Sequence, residues 1–137
     1  AVERYRGRIS GPLLDRIDLH VEVPRISTEE LQAQEPGEPS AAIKARVDAA
    51  RERQFARRGK PNADLEVNEI DEDCHLGEAE LKLLGLAQKR LNLYPRTYHR
   101  ILRVARTIAD LEGAATITNR HLTESLAFRA LDRGYQN

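Results

Sequence analysis

The sequence predicts a mainly α-helical protein, a bundle of about four helices preceded by one β-strand. Three observations carry that prediction. From Pro95 to Glu112, the residues Tyr98, Ile101, Leu102, Ala105, Ile108 and Ala109 recur at helical spacing as one apolar stripe. Other apolar-periodic segments end on helix-stopping glycines, Gly59 and Gly134, or lead into Pro95, a residue suited to a first helical turn. Only one segment reads as a strand. Ile17, Leu19, Val21 and Val23 alternate there with Asp18, His20 and Glu22, the period of a half-buried strand. A lone strand satisfies neither its edges nor its face, so its sheet is expected to lie outside this chain.

The elements follow in order. Gly11 and Pro12 announce a turn that leads through Arg16 into the strand. Arg25 to Ser40 contains Ser27, Thr28, Pro36, Gly37 and Pro39 and reads as a linker, with a short helical turn at Thr28 to Gln32. Ser40 is placed to cap a helix over Ala41–Arg58, with Ile43, Val47 and Ala50 on one face and Gly59-Lys60-Pro61 as its stop. Asn62 to Gly77 reads as irregular or briefly helical. Leu65, Val67 and Ile70 offer a short strand there, which Asn68 and Glu69 weaken. A helix over Glu78–Asn92 carries Leu84, Ala87 and Leu91 on one face. Its acidic start, Glu78 and Glu80, and basic end, Lys89 and Arg90, suit the helix dipole. The Pro95–Glu112 helix sets Arg96, Arg100 and Arg103 opposite its apolar stripe and stops at Gly113. Thr118 or Asn119 caps a last helix in which Leu122, Leu126 and Ala130 recur, closed by Gly134.

Composition bounds the class. The chain has 137 residues, no Trp, no Met and only 4% aromatics, so the core is expected to be Leu, Ile, Val and Ala. No apolar run reaches transmembrane length, and no secretory signal opens the chain. It begins with Ala1 rather than Met, as expected of a piece of a longer protein. The single cysteine, Cys74, excludes an internal disulfide and points to a reducing, cytoplasmic setting.

The net charge of +0 hides blocks. Lys44–Lys60 holds seven basic and two acidic residues. Asp64–Glu80 holds eight acidic and no basic ones, and Lys82–Arg106 seven basic and no acidic ones. Such blocks are expected to pair with one another as solvated faces. The sharper alternative is a basic surface for nucleotide phosphates or nucleic acid.

Searches for a self-sufficient active site fail. There is neither a GxxxxGK[ST] phosphate loop nor a GxGxxG. Cys74 and His75 are adjacent, and His20, His99 and His121 lack ligand spacing, so no metal site is expected. Asp71, Glu72 and Asp73 resemble the start of a calcium loop, but Leu76 stands where its glycine is needed. No nucleophile elbow supports a serine triad.

Arginine remains. Its planar fork matches phosphate oxygens, and an arginine supplied by a neighbour stabilises charge on a transferring phosphoryl group. Arg16 has a rigid base between a Gly-Pro turn and the strand; the plainer alternative is a surface pair with Asp15 or Asp18. Arg96 lies in a first helical turn; its plainer alternative is a solvated face shared with Arg100 and Arg103. Arg6 and Arg8 form a basic run before the turn, with solubility as their simplest role.

At these residues the chain resembles a known family. RISGPLLDRIDLHVEVP, Arg8 to Pro24, resembles the end of the ATPase core in magnesium-chelatase-like AAA+ proteins. YPRTYHRILRVARTIADLEG, Tyr94 to Gly113, and ITNRHLTESLAFR, Ile117 to Arg129, resemble their C-terminal lid. The ARTIADLEG run resembles the competence-associated, ComM/YifB-type subfamily. Minichromosome-maintenance helicases share a weaker form of the pattern.

The resemblance implies an AAA+ C-terminal lid-type bundle after one strand left over from the α/β core. Residues 1–25 would end the core, 26–92 would hold linker, insertion helix and first lid helix, and 93–137 the C-terminal lid helices. Arg16 would be the arginine finger, acting in trans. Arg96 would be the sensor-2 arginine on ATP phosphates, in its own subunit or across the interface. ATP and Mg2+ would serve the full-length protein, with none bound to this fragment. The phosphate loop would lie before residue 1, so the chain alone would not be catalytic. The implied assembly is a homo-oligomeric ring, a hexamer, working on DNA in competence or recombination, with no membrane partner. Two alternatives stand beside it: the motor subunit of a magnesium chelatase, and a nucleotide-independent helical module that binds DNA or protein through Lys82–Arg106.

Overall fold

A computed structural model describes Arg4, Arg8, residues 11–33 and residues 35–129. Arg6, Ala130 and Gly134, named above, lie outside these residues. Seven helices are described: α1 Gly11–Asp15, α2 Thr28–Ala33, α3 Ser40–Arg58, α4 Val67–Asp73, α5 Glu78–Leu91, α6 Pro95–Glu112 and α7 Asn119–Ala127. A 3₁₀ turn, Asn62–Asp64, joins α3 to α4.

Helix α6 is the hub. Its 18 residues span about 27 Å. It packs against α7, α3, α4 and the 3₁₀ turn, while α5 packs on α7. The predicted stripe holds: Ile101, Leu102, Ala105 and Ala109 are buried, and Tyr98 packs at the core margin. Leu65, Ile70, Cys74, Leu76, Leu84, Ile117 and Leu122 complete the core. Each fully buried Leu or Ile contributes about 2 kcal/mol of transfer free energy.

Local chemistry explains the helix ends. Gly59 and Gly113 take left-handed φ values of 73° and 79° and return their N–H groups to the preceding turns, the αL stop that glycine adopts without strain. Ser27 and Glu30 start α2 reciprocally: each backbone N–H donates to the other side chain, at 3.1 and 3.2 Å. Helix α7 starts on a variant of that box. The Thr118 N–H donates to His121 Nδ1 at 2.9 Å, so the ring proton sits on Nε2, which donates to Glu112 at 2.7 Å.

Three expectations are corrected. The segment Ile17–Val23 forms no strand, and no strand exists among the described residues. A strand needs a neighbouring backbone, and here part of the segment's own backbone bonds to the C-terminal end instead. Val21 and Val23 stay 63% and 81% exposed. The brief helicity expected within Asn62–Gly77 is found instead of the weaker strand option: Val67–Asp73 is helical, capped through the Glu66 N–H to Glu69 at 2.9 Å. Ser40 is the first residue of α3 rather than its cap, and Pro39 holds the cap position in extended conformation. Finally, the predicted apolar face of α3 is buried only at Ala50, joined by Gln54. Ile43 and Val47 remain exposed, because α3 meets α6 along its C-terminal half.

The charge blocks pair as expected. Arg58 bonds Asp73 at 2.7 Å and Glu72 at 2.6 Å, and Lys60 bonds Glu69 at 2.5 Å. The first basic block thereby fastens the acidic one to the end of α3.

Candidate functional site

Arg16 follows α1 directly. The turn is built by its N–H donating to the Leu13 carbonyl at 3.1 Å and that of Ile17 to Leu14 at 3.1 Å. Leu14 is buried beneath the turn, while Arg16 is exposed. Arg16 makes no ion pair with Asp15 or Asp18, the plainer alternative; Asp18 is bonded by another arginine and Asp15 faces one. Asp18 receives Arg100 at 2.5 Å, and Asp15 lies 3.9 Å from Arg129. Among the described residues the Arg16 guanidinium has no hydrogen-bond or ion-pair partner.

The turn is held from the far end of the chain. Arg129 is only 2% exposed. Its guanidinium donates to the Ile17 carbonyl and, at 3.3 Å, to the Leu14 carbonyl. His20, also buried, donates its backbone N–H to the Phe128 carbonyl at 2.7 Å, and its Nε2 lies 3.0 Å from the Leu14 carbonyl. Residues 14–20 are therefore strapped onto the end of α7.

Arg96 stands where the sequence places it. Asn92, with φ 50°, ends α5, Pro95 opens α6, and Arg96 is exposed in the first turn without a partner among the described residues. The expected solvated face does not continue along the helix. Arg100, one turn on, has its side chain only 22% exposed and is committed to Asp18. The helix carrying Arg96 is thus tied directly to the turn carrying Arg16. Arg8 is exposed.

The basic block Lys82–Arg106 is not one surface. Lys82, Lys89, Arg90 and Arg96 face solvent, but Arg106 is buried and donates to the carbonyls of Ala114 at 2.7 Å and Ala115 at 3.1 Å. Burial pushes its pKa below the usual arginine range. Asp110, fully buried, lies 3.1 Å from Arg106 and receives Arg57 at 2.5 Å and Asn62 at 2.9 Å. The bond to Asp110 raises the Arg57 pKa. Arg53 donates to the Asp110 carbonyl at 2.6 Å, and a Cβ at Gly113 would meet that guanidinium at 3.2 Å. The ARTIADLEG run, Ala105–Gly113, is therefore a structural joint that fastens α3 and the 3₁₀ turn onto α6.

Among the described residues no group of three or more His, Cys, Asp or Glu could hold a metal ion. No described helix is long and apolar enough to cross a membrane. Sequence reasoning singled out Arg16 and Arg96 as candidates but did not anticipate that Arg129 and Arg100 tie the Arg16 turn to the helices. The sequence offered Asp15 and Asp18 to Arg16 itself, and only packing delivers Arg129 and Arg100 to them.

The arrangement is a helical bundle on which Arg16 and Arg96 are exposed. The chain belongs to the magnesium chelatase ChlI family: the family's C-terminal domain matches residues 37–129, and its ChlI subunit model matches residues 1–31. Among its relatives is the competence protein ComM of Haemophilus influenzae, 46% identical over 133 residues, which cover 96% of this chain and 26% of that protein. The uncharacterized protein YifB of Escherichia coli is 46% identical over 131 residues, 95% of this chain and 26% of YifB. An uncharacterized Mycobacterium tuberculosis protein is 34% identical over 131 residues, 92% of this chain and 26% of its own length. The chain thus spans about a quarter of the length of these curated relatives and corresponds to the C-terminal part of this ComM/YifB-type branch.

Proposed function

We propose that this region is the lid portion of a ring-forming AAA+ ATPase, supplying Arg16 as an arginine finger and Arg96 as a sensor-2 arginine. The observation that carries the reading is the freedom of both guanidinium groups on a scaffold that ties up their neighbours. An arginine that serves a phosphate elsewhere must be rigidly based and unspent. Among the described residues Arg16 is both: it makes no ion pair, and Asp18 is bonded to Arg100 instead. The residues present suit phosphate oxygens and supply positive charge to them. Binding and activation of ATP with Mg2+ fall to parts of the protein outside this chain. The printed name of the Haemophilus relative, a competence protein, favours a role in competence, and the proposal adds a cytoplasmic homo-hexamer working on DNA.

The test uses the full-length protein. Arg16→Ala should lower ATP turnover by about 10³-fold or more, the scale of a lost arginine finger, while nucleotide affinity changes little. Ordinary turnover in that variant removes Arg16 from the role. A chelatase-motor reading rests on the family description. Stimulation of the ATPase by DNA supports the first reading, and stimulation by the porphyrin-binding partner subunits instead supports the second.

A further inference from the structure

A buried arginine in a small helical protein is costly unless its donors are used. Arg129 is such a residue, and among the described residues its bonds run to the Arg16 turn. It grips the carbonyls of Leu14 and Ile17 and faces the Asp15 carboxylate, so its contacts bracket Arg16 on both sides. The chain separation is 112 residues to Ile17 and 115 to Leu14. Local bonds alone hold that turn weakly. Helix α1 is only five residues long, too short to persist alone, and residues 17–27 form neither helix nor strand.

We propose that Arg129 is a positioning residue for the arginine finger: it sets the base from which Arg16 reaches a phosphate on a neighbouring subunit. This rests on the finger assignment made above. The guanidinium suits the task because its donors are fixed in one plane and span two carbonyls at once. A flexible cation would leave one carbonyl free and the turn able to rotate. Arg100, through Asp18, adds a second fixed point from α6. The finger therefore follows the lid helices as one body. A displacement of a catalytic group by about 1 Å can cost 10²-fold in rate, so loss of the clamp should weaken the finger without touching the subunit's own nucleotide pocket.

The experiment uses the full-length protein with Arg129→Gln beside Arg16→Ala. Arg129→Gln should lower kcat for ATP by about 10- to 100-fold, the range expected for a misplaced group, with nucleotide Kd unchanged. Its subunits are then mixed with subunits that cannot bind nucleotide but keep Arg16 and Arg129. Turnover should rise above that of either parent, because the intact finger serves the intact pocket next to it. A merely structural role gives no such recovery. Unchanged kcat in Arg129→Gln overturns the proposal alone, as does a loss of turnover that mixing does not recover. Retained turnover in Arg16→Ala overturns the finger assignment and this proposal with it.

Discussion

Cys74 sits at the end of α4 among Leu65, Ile70 and Leu76, 2% exposed. Burial disfavours the thiolate and pushes its pKa up to about 12. At pH 8 only about one thiol in 10⁴ is then ionised, and the thiolate is the reactive species. The folded chain should resist a maleimide or disulfide reagent at pH 8 for hours and react fully in denaturant. Rapid stoichiometric labelling of the native protein would contradict this. Arg16 and Arg129 form the opposite pair at this scale. One is exposed and unspent, the other buried and fully engaged, and their side chains are chemically identical. Residue type therefore says nothing about which arginine is left exposed and which is clamped.

Helix α6 shows how much one element carries. Its apolar stripe makes the core, its first turn presents Arg96, its second is tied to the Arg16 turn by Arg100, and its last two turns form the joint with α3. Asp110 is the centre of that joint, meeting Arg57, Arg106 and Asn62 with no exposure of its own. Removing one partner of a buried ionic group strands the others. Asp110→Ala should destabilise the chain by about 3 kcal/mol, on the scale for a broken buried pair, measured by urea unfolding. A loss under about 1 kcal/mol, as for a surface pair, would show that Arg57 and Arg106 find water instead. The helix was legible almost to the residue, because its periodicity, opening proline and closing glycine are local signals. Its joint was not, since Arg53, Arg57 and Asn62 are brought to Asp110 only by packing.

At the scale of the molecule, carboxylates hold elements together across the chain. Asp73 bonds Arg58, Glu69 bonds Lys60, and Glu112 bonds His121 and Arg120; these bonds lower all three carboxyl pKa values. A carboxylate with a depressed folded pKa contributes stability that is present above its unfolded pKa, about 4. That contribution is lost as pH falls through the folded value. The thermal midpoint should therefore hold from pH 7 toward pH 5 and drop progressively below about pH 4. Asp73→Asn should flatten part of that drop. A midpoint that does not move between pH 7 and pH 3 would mean these pairs are spent on solvent.

The mainly helical class, the bounds of α6 and the stops at Gly59 and Gly113 were determined by the sequence alone, because periodicity and caps are properties of neighbouring residues. Alternation at Ile17–Val23 misled for the same reason: it records a face prepared for a sheet but cannot supply the partner that makes a strand. Tertiary structure decided the rest. Arg100 reaches Asp18 across 82 residues and Arg129 reaches Ile17 across 112, and whether such a guanidinium is solvated or clamped depends on what packing delivers to it. The turn that presents Arg16 is held by residues from the other end of the chain, where no local pattern could have marked them.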